Sequence, residues 1–406
     1  MTKHTLYITF DGLSDPLGQS QILPYLTGLA KNGYTITILS CEKKERVEKE
    51  LANIQTLLNP SCFTWKYILY DEVGGFLTRL SYIRKIYSLA KKENTLKKFN
   101  LVHCRSYLAA LIGLKLKRKY NIPFLFDMRG FWANERFDGN IWSRKNPLHV
   151  AFYNYFKIKE KQFLSGSNAI VSLTHAAVKI LAQNYKGINI RQKTTIIPCC
   201  VNTSLFDPEK TQPHNFPSLS GSEHILIYTG SIGTWYYTKE MIDCILAWQE
   251  FIPSLKLLIV TKDVKELETI LSGYSENDRK SILQTSMPYT EVPSVLACAR
   301  AAIFFIKPAF SKIASSPTKM AECWAMNLPI ITNPGIGDND IYFKENAGGI
   351  LVEEFTVAAY KSAAKKYIAL PMNKDYYRKI ALSYFDTEKA VESYSSIYYS
   401  LCNANS

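Results

Sequence analysis

The chain has 406 residues, 47% of them hydrophobic and 21% charged, with a net charge of +14. That length is too great for one core and suits two domains, and the composition excludes a disordered chain. No run reaches the ~18 apolar residues that a membrane-spanning helix needs. The longest, "ACARAAIFFI", is short and carries Arg300.

The opening "MTKHTLYITFDG" is too polar for a secretory leader and runs straight into a strand pattern, so a cytoplasmic protein is expected. Nine cysteines at irregular spacing, with no C-x-x-C and no Cys/His ligand cluster, read as reduced buried thiols with no metal. Residues 1–200 carry a charge of +17 and residues 201–406 a charge of −3. A basic half rich in Tyr, Phe and Trp points to an anionic partner. No RNA-binding motif or helix-turn-helix signature accompanies the charge, so nucleic acid is not the expected partner.

In chain order, short β-branched runs alternate with helical patterns. Strands are expected at 4–10, 34–40, 63–69, 101–106, 123–128, 169–174 and 194–198, with helices at 19–31, 43–58, 75–98, 106–120, 147–165 and 174–184. The stretch 198–224, rich in Pro, Ser and Asn, reads as a linker. The alternation then restarts, with strands at 224–229, 256–261, 281–286, 301–306, 329–332 and 348–352. Helices fit at 238–251, 263–272, 291–299, 316–327, 354–369 and 386–402. The fold class is therefore α/β, as two Rossmann-like parallel-sheet units. Ligands are expected at the carboxyl ends of the strands, where helix N-termini point.

Five stretches carry chemistry. "FDGLSDPLGQSQ" (10–21) joins the first strand to the first helix. Gly12 and Gly18 allow close backbone approach, and Asp15 precedes a turn-forming Pro. It is not G-x-G-x-x-G, and no acidic residue in the ribose position is read at the end of the second strand, which argues against a nicotinamide dinucleotide. Either an ordinary connection or a substrate-lining loop fits. "FDMRGFWANERFDGNIW" (126–142) reads as a long irregular loop that interleaves Asp127, Arg129 and Glu135 with Trp132 and other aromatics. Aromatic faces suit sugar rings or acyl chains and Arg129 suits a phosphate, while packing on the next helix is the plain alternative.

"YTGSIGTWYYTKE" (228–240) places Gly230 and Ser231 where backbone N–H groups can meet an anion. "TSMPYTEVPSVLACA" (285–299) offers Tyr289 and its backbone to a planar base, with Thr290 as the expected helix cap. In "SSPTKMAECWAMNLPII" (315–331), Ser316 is the expected N-cap and Pro317 the first helical residue. Lys319 and Glu322 then share a helix face. They form either an exposed ion pair, worth a few tenths of a kcal/mol, or a cation for a diphosphate with a carboxylate for a ribose diol.

Taken together, "DGLSDPLGQSQILPYL", "DMRGFW", "IIPCCVNTSLF", "YTGSI", "SSPTKMAE" and "GDND" resemble bacterial nucleotide-sugar glycosyltransferases of the GT-B fold, in glycosyltransferase family 4. The resemblance covers nearly the whole chain. It implies two Rossmann-like domains facing a cleft. Residues 1–200 would bind the acceptor and 201–385 the nucleotide sugar, with 386–406 crossing back to the first domain. Glu322 matches the second Glu of the family's E-x7-E motif, which holds the donor ribose. Lys319 falls beside the diphosphate, Ser316, Thr318 and Tyr289 are further expected donor contacts, and Gly230 and Ser231 match the donor-phosphate loop. Gly18 and Gln19 match the loop that approaches the donor from the other domain.

The first Glu of the motif is absent, and Ala314 stands in its place. The usual second cation of the donor segment has two candidates, Lys239 and Lys262. Asp127 and His103 fall at strand ends where the family uses polar groups, and with Lys319 they are the expected catalytic set. Asp15, Arg129, Trp132 and Glu135 are the expected acceptor contacts. The resemblance further implies a nucleotide diphosphate sugar as co-substrate with no other cofactor, retention of anomeric configuration, no metal, and a glycan or lipid-linked acceptor. Surface-polysaccharide synthesis on an anionic leaflet would use Lys115, Lys117, Arg118, Lys119, Arg144 and Lys145. A sugar-nucleotide epimerase of the same fold and a non-catalytic sugar-nucleotide binder are the alternatives.

Overall fold

The structure is a computed structural model that describes residues 3–71, 76–216, 224–345, 347–370 and 375–403. The chain divides into two compact units: Met1–Pro198 with Thr387–Ser406, and Cys199–Asp386.

The first unit carries strands β1 (Lys3–Ile8), β2 (Tyr34–Glu42), β3 (Phe63–Leu69), β4 (Leu101–Arg105), β5 (Phe124–Asp127), β6 (Ala169–Ser172) and β7 (Thr194–Ile196). Between them lie α1 (Pro16–Gln21), α2 (Leu23–Lys31), α3 (Lys44–Leu57), α4 (Phe76–Lys97), α5 (Ser106–Tyr120), α6 (Trp132–Asp138), α7 (Pro147–Gly166), α8 (His175–Asn184) and α9 (Ile190–Lys193). The second unit has β8 (His224–Thr229), β9 (Leu255–Val260), β10 (Ile282–Thr285), β11 (Ala301–Ile303), β12 (Ile330–Thr332) and β13 (Gly349–Leu351). Its helices are α10 (Thr238–Trp248), α11 (Val264–Leu271), α12 (Glu276–Arg279), α13 (Val292–Leu296), α14 (Thr318–Ala325), α15 (Asn339–Glu345), α16 (Val357–Ile368) and α17 (Tyr376–Ile380). The final helix, α18 (Thr387–Asn403), packs on α2 in the first unit.

Both sheets are wholly parallel, in the orders β3-β2-β1-β4-β5-β6-β7 and β10-β9-β8-β11-β12-β13. Strand order reverses between β1 and β4 in one sheet and between β8 and β11 in the other, which is where such folds bind ligands. Central strands such as β4 and β12 are buried along their whole length, as helices on both faces require.

Several local expectations are corrected. The helix expected at 19–31 is two helices, broken at Ile22, whose φ of −126° leaves the helical region. The stretch 126–142 is not irregular throughout, because α6 forms inside it. Of the expected linker, residues 217–223 lie outside the described residues. None of the nine cysteines is paired. Among the described residues, no helix is long and apolar enough to cross a membrane.

Candidate functional site

In the second unit, β8 is followed at once by Gly230, whose φ of +136° suits glycine alone. The loop turns so tightly that the Tyr228 hydroxyl donates to the Ser231 carbonyl. From the other side, α14 delivers Lys319 into the same space. Its ammonium donates to the Tyr228 hydroxyl at 3.2 Å and lies 3.6 Å from the centroid of the Tyr236 ring and 4.2 Å from that of Tyr228. The ring faces attract the cation but cannot neutralise it. Burial holds Lys319 down to about 7, with Cys323 and Glu322 opposing the shift.

One turn further along α14, Glu322 is also buried. Burial pushes it up to about 7, offset by the Lys319 charge and by a hydrogen bond that the Tyr289 hydroxyl donates. The same burial, reinforced by Glu322, raises the Tyr289 phenol. Lys319 and Glu322 are only 7% and 8% exposed, which rules out the exposed ion pair. Gly230, Ser231, Tyr289, Lys319 and Glu322 are therefore brought to one place.

Other expected donor residues sit differently. Ser316 does not cap α14. Its hydroxyl accepts from the Cys199 N–H at 3.1 Å, Pro317 occupies the cap position, and Thr318 is the first helical residue. Thr290 lies within a 3-10 turn ahead of α13, so it does not cap that helix either. Lys239 pairs with Asp243 at 2.6 Å along α10, and Lys262 is exposed beyond β9. Ala314 is buried at the end of a 3-10 turn. The aromatic box around Lys319 was missed in sequence, although Tyr228 and Tyr236 bracket the Gly230 loop. So was Lys312, which stacks 3.5 Å over the Trp235 ring.

In the first unit, an acidic residue does end the second strand, contrary to expectation, but it is spent on the first loop. Glu42 is fully buried and accepts from Leu13 N at 2.8 Å, Ser14 N at 3.1 Å and the Ser14 hydroxyl at 2.6 Å. Gly18 packs so closely that a Cβ would lie 2.0 Å from the Gly12 carbonyl oxygen, while Gln19 is half-buried. Asp15 is occupied by Arg46 at 3.0 Å.

His103 and Asp127 are buried together. The His103 Nε2–H faces Asp127 Oδ2 at 3.4 Å, and Nδ1 accepts from the Tyr398 hydroxyl at 2.9 Å. Tyr394 donates to Asp127 at 3.0 Å. Burial lowers His103 and keeps it neutral, since Asp127 only partly opposes that effect. Burial raises Asp127, but Arg129, His103 and Arg105 outweigh it and hold the carboxyl below its usual range. The geometry is that of a polar cluster against which Tyr394 and Tyr398 of α18 dock. Arg129, expected to meet a phosphate, turns inward, with Nη1 3.8 Å from Asp127 Oδ1. Trp132 instead carries the Arg136 guanidinium over its ring at 4.6 Å, and Glu135 is half-buried on α6.

Residues 22–205 match the model of Glycosyltransferase Family 4. No curated protein matches the chain in sequence. Sucrose-phosphate synthase from Thermosynechococcus elongatus superposes with a TM-score of 0.71 at 15% identity, over 99% of this chain and 100% of that one. A glycosyltransferase from Rickettsia africae ESF-5 gives 0.68 at 15% identity, over 99% of each chain. Anabaena HepE in complex with UDP-glucose gives 0.67 at 12% identity, over 98% and 99%. These structural likenesses carry the fold, and the family match covers the first unit's sheet from α2 onward. Together they show a GT-B fold whose residues 22–205 are similar to Glycosyltransferase Family 4.

Proposed function

We propose that the protein transfers a sugar from a nucleotide diphosphate sugar, held by the second unit, to an acceptor hydroxyl held by the first. The observation that carries this reading is the buried Lys319 ammonium, set against Gly230 in an aromatic box, with the Glu322 carboxyl one turn away. A cation held dry by aromatic faces and left, among the described residues, without a carboxylate contact is matched to an arriving anion. Glu322 and Tyr289 suit the ribose diol and base.

In the transfer, the bond from the anomeric carbon to the diphosphate oxygen breaks and a bond to the acceptor oxygen forms. The departing diphosphate gathers charge, which Lys319, the loop N–H groups at Gly230 and Ser231, and the start of α14 are placed to stabilise. This chemistry calls for no metal ion. The acceptor oxygen attacks the face that the diphosphate leaves, and its proton passes to an oxygen of the departing phosphate, giving retention. The UDP-glucose bound by HepE makes a uridine diphosphate sugar the first donor to try.

A lipid-linked acceptor fits the surface of α7. Leu148, Tyr155 and Ile158 share one helix face at 57%, 45% and 61% exposure, beside exposed Arg144, Lys145 and Lys161. Of the basic residues on α5, Lys117 is withdrawn, since its ammonium donates to Gly166 O and Asn168 Oδ1.

The test is incubation with labelled nucleotide sugars, with and without lipid extract, reading the released nucleotide and the anomeric configuration by NMR. Acceptor-dependent transfer with retention supports the reading. Acceptor-independent conversion of one sugar nucleotide into its epimer overturns it.

A further inference from the structure

The first unit holds a cavity of about 200 Å³ that the donor chemistry does not use. It lies where strand order reverses between β1 and β4, the natural ligand position of a parallel sheet. Among the described residues, three guanidiniums line it, Arg79 from α4, Arg105 from the end of β4 and Arg136 from α6, against one carboxylate, Asp11. Arg105 is 2% exposed in its side chain. Its Nε donates to Asp11 Oδ2 at 3.1 Å and its Nη1 to Gln21 O at 3.4 Å, so part of its fork is spent. The guanidiniums of Arg79 and Arg136 make no hydrogen bond or ion pair with any described residue.

Arg136 is held in place by its stacking on Trp132. Burial, and then the like charge of Arg79, depress it, while Glu135 and Asp11 offset part of that. Ser106, at the cavity wall, opens α5 with a φ of +66°, a strained conformation for a residue with a side chain. Two guanidiniums that repel each other, a third partly spent, and the first turn of a 15-residue helix converge on one small space. Guanidinium forks match phosphate oxygens two at a time. The volume is below the ~300–1,000 Å³ typical of sites for whole small ligands, so it suits a charged headgroup.

We propose that the pocket of Arg79, Arg105 and Arg136 binds a phosphate group carried by the acceptor. The word acceptor rests on the function proposed above, whereas the phosphate site does not. The phosphate can belong to a prenyl diphosphate carrier or to a soluble sugar phosphate.

The test is calorimetric titration of the full chain carrying Lys319→Ala, which removes the donor-site cation, with inorganic pyrophosphate, farnesyl diphosphate and glucose 6-phosphate. Arg79→Ala and Arg136→Ala are added singly, with Arg136→Lys as the conservative variant and thermal melting as the folding control. The expected result is binding of pyrophosphate, weakened at least tenfold by either alanine and less by lysine in chains that melt normally. Tighter binding of farnesyl diphosphate identifies the lipid source, and tighter binding of glucose 6-phosphate the soluble one. Unchanged pyrophosphate affinity in both alanine variants, or no binding to the parent chain, overturns the proposal. So does loss of nucleotide binding when Arg79→Ala or Arg136→Ala is placed in the otherwise unaltered chain, because the arginines would then serve the donor. Arginine-dependent phosphate binding in a protein that binds no nucleotide leaves this site standing and removes the donor reading.

Discussion

The ammonium of Lys319 stands 2.7 Å from where a Cβ on Gly230 would lie. The loop after β8 and the first turn of α14 therefore share one volume, and each is shaped by the other. Gly230→Ala has to move the lysine and force a side chain into a φ of +136°. The strain is expected to cost about 1–3 kcal/mol of stability. Donor affinity should fall at least tenfold, since the displaced ammonium no longer faces the phosphates. Denaturant unfolding with nucleotide titration measures both effects. Unchanged affinity would separate the lysine from the diphosphate.

The same site sets a pH profile. Lys319, held down to about 7 by burial, loses its proton as pH rises through neutrality. Glu322, pushed up to about 7 by burial, loses its charge as pH falls through the same point. Affinity for a sugar nucleotide should peak near pH 7 and fall by up to about tenfold per unit on either side. A steady rise in affinity to pH 8.5 would contradict the lysine's role.

Stability follows the protons in the opposite way. Between pH 7 and about 10 the unfolded chain holds the Lys319 proton that the folded protein has released, so stability of the free protein rises with pH there. Between about 4.5 and 7 the folded protein holds the extra proton on Glu322, so that group's contribution falls as pH rises. Lys319→Met should flatten the alkaline rise, which melting curves across that range would show.

Glu42 ties the first loop to β2 through Leu13 and Ser14. Glu42→Gln replaces a charged acceptor by a neutral amide whose NH2 faces the Leu13 and Ser14 N–H donors or forces the Ser14 and Ser40 hydroxyls to turn round and accept. A loss of about 1–3 kcal/mol is expected in chemical denaturation, with nucleotide binding by the second unit unchanged.

Tyr398→Phe removes the hydroxyl that faces His103 Nδ1 and leaves a buried ring nitrogen without its donor. About 1–3 kcal/mol of stability should be lost, and proteolysis should reach α18 sooner. If turnover instead falls with stability intact, His103 acts on substrate rather than on the docking of α18.

The sheets were legible because a parallel strand covered on both faces must be apolar along its length, and "LYITF", "TITIL" and "LLIV" are. Glu322 and Lys319 were legible as a pair because helical spacing puts them on one face, but spacing carries no burial, and burial is what separates a site from a surface ion pair. Arg129 illustrates the limit. By sequence alone Arg129 is assigned to a phosphate, yet Asp127, two residues earlier, takes that arginine inward. The arginines that line a cavity, Arg79, Arg105 and Arg136, come from three elements far apart in sequence. No local pattern marks them. Helix α6 was hidden for a related reason: its aromatics face neighbours on α5 and α7, so the sequence reads as irregular.

The most direct measurement is a thermal-shift panel with UDP, GDP, ADP, dTDP and CMP on the unaltered protein, Lys319→Ala and Glu322→Ala. A nucleotide at ~100 times its dissociation constant adds roughly 2.7 kcal/mol of stability. One nucleoside diphosphate should raise the melting temperature of the unaltered protein, and that rise should shrink or vanish in both variants. No shift with any nucleotide, or the same shift in all three proteins, would contradict a donor site built on Lys319 and Glu322.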